Sequence, residues 1–410
     1  MSEPGNAGAG NGEPRSSEPS NSEPWIFLSA GEASGEHYGV LLMDELRRRI
    51  PGARFFGMGG ARMEALGFER VVRSEDVAVM GITEVIRHLP RIYREYRRLK
   101  QAISERRPAA AVLIDFPDVN LKLAEALHAA GVPVIFFVSP QLWAWKKRRI
   151  HRVKRFVDRM LVIFPFEEEY YRQRGVKAEF VGHPLAELAL PTARREEFAA
   201  RHGLDAGRHW IGLLPGSRAR EIRMNLPEML RAAAMVADAE FVLPLAPTLS
   251  AAAVEQTRVM VQQAGLAGRV HLVDDARGTL LHARASVVAS GTATVEAALI
   301  GNPFVVVYRV SRLTYAIAQR VVKVPHVAMV NLVADRRVVP ELIQDAFTAK
   351  AVTAALLPLL EDGPERAGMM QELKEVAGKL RRDENSDGGA MERVAAVVAE
   401  TLGLQPETGA

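Results

Sequence analysis

The residues best suited to chemistry in this sequence cluster where short apolar runs give way to glycine, hydroxyl and charged side chains. Leu213-Leu214-Pro215-Gly216-Ser217-Arg218 closes the apolar run Trp210–Leu214 and opens a helical pattern. Glycine there lets the backbone approach a ligand, and the N–H groups and dipole of a helix start favour an anion. Arg218 can clamp a phosphate bidentately and Ser217 can add a hydrogen bond; without the arginine, the segment would read as an ordinary strand-to-helix turn. Ala289-Ser290-Gly291-Thr292-Ala293-Thr294-Val295-Glu296 repeats the arrangement. Ser290 or Thr292 can cap the helix, and Glu296, one turn on, could accept both hydroxyls of a ribose. Its alternative role is an acid complementing the helix dipole.

Carboxylates mark two further turns. Gly31-Glu32-Ala33-Ser34-Gly35-Glu36-His37 suits a hydroxylated acceptor better than a bare phosphate; its alternative role is a tight loop. Asp115-Phe116-Pro117-Asp118-Val119-Asn120 ends the run Ala110–Ile114. Acids at the C-terminal edge of a buried strand face a cleft, where a general base is needed. Asp118, beyond Pro117 and free of the strand, is the preferred base; capping by Asp118 or Asn120 is the alternative. The spacing is D-x-x-D and not the metal-holding D-x-D, so no metal or other cofactor is expected. The sequence has no cysteine, which removes disulfides, thiolate metal sites and cysteine nucleophiles.

These turns need strands and helices to position them. Trp25–Ala30, Arg54–Gly57, Ala110–Ile114, Val134–Val138 and Met160–Ile163 are short apolar runs separated by helical patterns. The strand-like Glu179–Val181 comes next, and a second series follows Pro184 and Pro191: Trp210–Leu214, Glu240–Leu243, Val270–Val273, Ser286–Ala289 and Phe304–Tyr308. Alternation of this kind predicts parallel sheets covered on both faces. The expected organisation is α/β: a disordered tail over 1–23, one doubly wound domain over 24–185, and a second over 186–410 ending in helices. At 410 residues, two domains are favoured over one core. Such domains bind ligands at the carboxyl ends of their strands.

No apolar run approaches the roughly 18 residues needed to span a bilayer, and residues 1–23 lack the apolar segment of a signal peptide. The chain is nonetheless basic in places. Lys146 to Arg159 holds eight Lys and Arg, including Arg148, Arg149 and Arg152, against the single acid Asp158, beside Trp143 and Trp145. Met80, Ile82 and Ile86 lead into a stripe (Leu89, Ile92, Tyr93, Tyr96, Leu99, Ile103) backed by arginines. Both segments suit an anionic membrane interface, and the stripe equally suits a core-facing helix. His88, His128 and His209 read as structural or solvated; His183 and His326, beside prolines, have no assigned role.

The segments Gly31–Glu36, Phe55–Gly60, Met80–Val85, Asp115–Asn120, Ser139–Trp145, Leu213–Ile222 and Ser290–Leu299, with Val330–Leu332 and Val339–Gln344, together resemble the lipid-A-disaccharide synthase family. The resemblance runs in order from about Trp25 to the C-terminus. It implies a GT-B fold of two Rossmann-like domains and an inverting, metal-independent glycosyltransferase. The implied reaction joins UDP-2,3-diacylglucosamine to 2,3-diacylglucosamine 1-phosphate through a β-1,6 linkage, releasing UDP, in lipid A biosynthesis. It further implies a cytoplasmic enzyme of Gram-negative bacteria lying peripherally on the inner face of the inner membrane, able to dimerise by exchanging C-terminal segments. Carried onto this chain, it makes Asp118 the base, with Asp115 and Glu32 on the acceptor side. Gly216, Ser217, Arg218, Ser290, Gly291, Thr292, Glu296, Asn331, Glu341 and Gln344 would hold UDP. The family more often has Asp where this chain has Glu36. A nucleotide-sugar epimerase or hydrolase would share the UDP site without needing the basic amphipathic surface. A membrane-surface or nucleic-acid binding protein would leave Asp118 and both phosphate turns unexplained.

Overall fold

The computed structural model describes residues 23–77, 82–322, 324–382 and 388–404, with side chains at all of these but 33 and 82–89. The first sheet contains β1 (Trp25–Ala30), β2 (Arg54–Gly59), β3 (Glu69–Arg73), β4 (Ala110–Ile114), β5 (Val134–Phe137), β6 (Arg159–Val162) and β7 (Ala178–Phe180). Its order is β3-β2-β1-β4-β5-β6-β7, and every pairing is parallel. The second contains β8 (His209–Leu214), β9 (Ala239–Pro244), β10 (Val270–Val273), β11 (Ala285–Ala289), β12 (Phe304–Tyr308) and β13 (Glu341–Ile343), in the order β10-β9-β8-β11-β12-β13, again parallel.

Both sheets reverse their winding direction once, between β1 and β4 in the first and between β8 and β11 in the second. A crevice opens beyond the strand ends at such a reversal. All four chemistry-bearing turns follow these four strands. The sequence therefore places its acids and glycines at the two switch points of the fold.

The strands are apolar on both faces because both are covered. In β4, Ala110, Val112 and Ile114 join one core, while Ala111 and Leu113 join another. The first core lies under helix Ala33–Arg49 and the second under helix Pro117–Ala129. β3 and β13 were not among the expected strands. Each is an edge strand, and β3 (Glu-Arg-Val-Val-Arg) carries charge on an incompletely buried surface, so neither shows a continuous apolar run.

The chain crosses between the sheets twice. Residues beyond β7 lead to the second sheet, and helix Ala390–Thr401 returns to pack against helix Ala33–Arg49. The last helix thus lies on the first sheet's flank and not with the preceding C-terminal helices. The two crossings are bonded together: His183 N–H donates to Leu380 O at 2.8 Å, Arg393 Nε to Val181 O at 2.8 Å, and Arg382 Nη1 to Glu179 Oε1 at 2.8 Å. No helix among the described residues is long and apolar enough to cross a membrane.

Leu42, fully buried in the core beneath helix Ala33–Arg49, tests that packing. Leu42→Ala should lower unfolding free energy by about 2–5 kcal/mol in urea titration, the range for a buried leucine cavity. A loss within error of zero would mean that this core is not packed as described.

Candidate active site

The end of β4 is held in an unusual backbone conformation. Asp115 and Phe116 both have φ of 48°, the left-handed region that non-glycine residues adopt at a cost. Asn120 holds them there. It is buried, its Nδ2 donates to Asp115 O (2.7 Å) and Ile114 O (3.2 Å), and its Oδ1 accepts from Ser29 Oγ (2.6 Å). The Phe116 ring lies against Gly31, where a Cβ would come within 2.3 Å of it. A side chain at 31 would collide with the turn that aims Asp115, so the Gly31 turn and the Asp115 turn are fitted to each other.

Asp115 and Asp118 occupy different electrostatic settings. Burial pushes the Asp115 carboxyl up to about 6; the charge of Glu32 adds to that rise, while the Phe116 amide and Arg218 oppose it. Asp118 is exposed in the first turn of helix Pro117–Ala129, where it accepts from Lys146 Nζ (3.1 Å) and Arg149 Nη2. Burial would raise Asp118 too, but the hydrogen bonds and charges of Arg149 and Lys146 outweigh it and hold the carboxyl below its ordinary value.

Arg218 spans the cleft. Its Nη2 lies 3.1 Å from Glu32 Oε2 and its Nη1 3.4 Å from Glu221 Oε1. Gly216, with φ of 124°, curls the turn so that the N–H groups of Ser217 and Arg218 converge on Glu221 Oε2 at 3.0 and 3.3 Å. The anion-ready amides of this turn are therefore engaged by an internal carboxylate. Asn225, fully buried and absent from the sequence expectations, braces the turn by donating to Pro215 O (2.9 Å) and accepting from Arg309 N (3.0 Å).

The second phosphate turn is open. Gly291 has φ of 152° with no atom within 4 Å of where a Cβ would stand, and Gly291 and Thr292 are exposed. Ser290 Oγ donates to Val327 O at 3.3 Å. Burial raises the Glu296 carboxyl, against the charge of Arg277. Glu296 and Arg277 line a cavity of about 60 Å³ beside linker residues Leu185, Ala186 and Leu188; Pro215–Arg218 are not on its wall. Arg277 also reaches Ala189 O at 2.9 Å and, after burial and Arg62, contributes to lowering His37. Across the cleft, burial raises the Tyr38 phenol, with smaller contributions from Glu296 and Asp115.

Asn331, Glu341 and Gln344 have their polar atoms engaged within the second domain. Glu341 Oε1 accepts from Ala328 N (2.8 Å), Val327 N (3.1 Å) and Asn331 Nδ2 (2.9 Å). Asn331 Oδ1 accepts from Val338 N and Val339 N, and Gln344 clamps Val310 through both its N–H (2.9 Å) and its C=O (3.0 Å). These residues shape the loops after β12 and before helix Met329–Ala334. Glu36 likewise accepts from Arg62 N at 2.7 Å and packs over Gly60.

The basic surface is only partly free. Arg148 is exposed, Arg149 lies on Asp118, and Arg152 pairs with Glu125 at 2.7 Å. Trp143 turns inward, its indole donating to buried Glu167 at 3.0 Å, and Trp145 alone is exposed, beneath Lys146. Leu99 and Ile103 are buried in the core, so the later half of the amphipathic stripe faces inward. Met80 and the side chains of Ile82 and Ile86 lie outside the described residues.

Residues 26–394 match the family model described as Lipid-A-disaccharide synthetase. The chain belongs to that family. Within the family it is 62% identical over 392 residues to the lipid-A-disaccharide synthase of Acidobacterium capsulatum, covering 93% of this chain and 97% of that one. It is 50% identical over 367 residues to that of Koribacter versatilis, covering 89% and 95%. Membership makes the chain a glycosyltransferase of lipid A biosynthesis, as the resemblance implied. Among solved structures, a calicheamicin glycosyltransferase overlays with a TM-score of 0.58 at 17% identity, covering 93% of this chain and 98% of that one. The Neisseria meningitidis UDP-GlcNAc 2-epimerase bound to UDP-GlcNAc gives 0.58 at 12%, covering 92% and 99%. These two likenesses establish the GT-B architecture, which glycosyltransferases and epimerases share.

The raised carboxyl of Asp115 has a stability consequence. Its folded value lies above its unfolded one, so the native state binds more protons between about pH 4 and 6, and stability falls as pH rises through that window. Asp115→Asn should remove that cost and stabilise the protein at pH 7 by up to about 3 kcal/mol, with little gain at pH 4. Equal effects at both pH values would contradict the assigned setting.

Proposed function

We propose that this chain transfers 2,3-diacylglucosamine from its UDP derivative to the 6-hydroxyl of 2,3-diacylglucosamine 1-phosphate, with inversion, and that Asp115 is the base. The observation carrying the choice of base is the pair of settings at the end of β4. A carboxylate raised to about 6 is mostly ionised at neutral pH yet basic enough to take a proton, whereas Asp118 is held low by two cations.

In this reading the acceptor hydroxyl gives its proton to Asp115 as its oxygen attacks the anomeric carbon from the face opposite UDP. The bond from that carbon to the diphosphate breaks, and the electron pair leaves on the diphosphate oxygen. Arg218 and the N–H groups of Ser217 and Arg218 meet that charge once the Glu221 carboxylate has given way, and the open turn Ser290-Gly291-Thr292 offers a second set of amides. Glu296 suits the ribose, while Asn331, Glu341 and Gln344 act by fixing the loops that border it. Glu32 holds Arg218 and raises Asp115.

A peripheral position on the cytoplasmic face of the inner membrane belongs to the same reading, with Met80, Ile82, Ile86, Arg148, Arg149 and Arg152 on the acceptor side. Helix Ala390–Thr401, which already crosses onto the first domain, is the natural segment for two copies to exchange.

With both lipids dispersed in detergent and no added metal, Asp115→Asn should slow UDP release by roughly 10²–10⁴-fold, the range for losing a general base, and spare UDP binding. Asp118→Asn should cost less, and a deeper loss there would make Asp118 the base. Arg218→Ala should weaken UDP binding by about 1.5–3 kcal/mol, as for a charged hydrogen bond; unchanged affinity would remove it from the site.

A further inference from the structure

Helix Arg312–Val321 stands apart from the other helices of the second domain. None of its ten residues is buried. Leu313, Ile317 and Val321 are spaced to share one face and are 74%, 48% and 46% exposed; Val322 and Val327 are exposed beside them. Five of the thirteen exposed large apolar side chains among the described residues thus fall within fifteen positions. Scattered apolar residues on a surface are ordinary, but a contiguous stripe marks an interaction site.

The charge around the stripe indicates what covers it. From Arg309 to Val327 the sequence carries Arg309, Arg312, Arg320 and Lys323 and no acid. Arg309 is turned inward onto Glu228, while Arg312 and Arg320 are exposed. An apolar helix face in a segment that carries cations and no acid fits the boundary of an anionic lipid layer.

Both ends of the segment are tied to the anion turns. Upstream, Arg309 N–H donates to the Asn225 that braces Pro215; downstream, Val327 O accepts from Ser290 Oγ. The stripe therefore begins where the supports of the nucleotide site end. Substrates with acyl chains reside in a bilayer, and a headgroup entering this cleft draws its chains along the adjacent surface.

We propose that Leu313, Ile317 and Val321, with Arg312 and Arg320, form a bilayer-docking surface that sets the mouth of the nucleotide-binding half on an anionic membrane. This rests on the lipid nature of the substrates and not on which carboxylate takes the proton.

The test is flotation of the full chain with phosphatidylcholine vesicles, with and without phosphatidylglycerol. The double variant Leu313→Ser, Ile317→Ser should weaken binding to the anionic vesicles by about tenfold or more. Arg312→Gln with Arg320→Gln should remove much of the preference for phosphatidylglycerol. UDP affinity and turnover on detergent-dispersed lipids should stay at wild-type level, and Met370→Ser, an exposed site elsewhere, should change nothing. Vesicle binding that ignores both sets of changes would overturn the proposal. So would a double variant that only converts a dimer to a monomer by light scattering, which would make the stripe an interface between copies. Failure of the wild-type chain to turn over dispersed lipids would count against the transfer reading and leave flotation to judge the stripe.

Discussion

One guanidinium links the two halves of the site. Arg218, beyond the end of β8, reaches Glu32, beyond the end of β1, while the carboxyl of Asp115 at the end of β4 is raised by burial first and then by the charge of Glu32. Three charges from two sheets thus meet at the two switch points. Half-exposed ion pairs contribute little to stability, so this contact matters chiefly as a coupling. On the proposed mechanism, the group that meets the leaving diphosphate restrains a group that tunes the proposed base. A ligand that draws Arg218 away changes the field at Asp115.

Rigid supports make that coupling meaningful. The left-handed backbone at Asp115 and Phe116 persists because Asn120 occupies the freed carbonyls and Gly31 leaves room for the Phe116 ring. Asn225 does the equivalent for Pro215, as Asn331 and Glu341 do for the loop at Val327. The left-handed backbone at Asp115 and Phe116 is thus held by a buried amide that bonds the turn directly. In the phosphate turn itself, the converging N–H groups of Ser217 and Arg218 donate to Glu221.

Much of this was legible in the sequence because it is local. Apolar runs followed by Gly31, Asp115, Gly216 and Gly291 marked the strands and the turns after them, and parallel sheets then brought those turns to one cleft. What escaped depends on partners distant in sequence. The choice between Asp118 and Asp115 as the proposed base turns on Lys146 and Arg149, 28 and 31 positions away, which pair with Asp118. The resemblance assigns Asn331, Glu341 and Gln344 to UDP, and their bonds to backbone at Val339, Ala328 and Val310 are a feature that spacing does not show. Trp143 and Trp145 are two residues apart, yet one is tied to buried Glu167 and the other exposed, a difference that spacing alone does not settle. The return of helix Ala390–Thr401 to the first domain left no local signal.

The central claim is that Asp115, tuned by Glu32, takes the proton. The most direct measurement is the pH dependence of kcat/KM for UDP release in wild type and Glu32→Gln. The ascending limb should report a group titrating near 6 in the wild type, and removing the Glu32 charge should move it to lower pH. A limb that stays in place in Glu32→Gln would contradict the account.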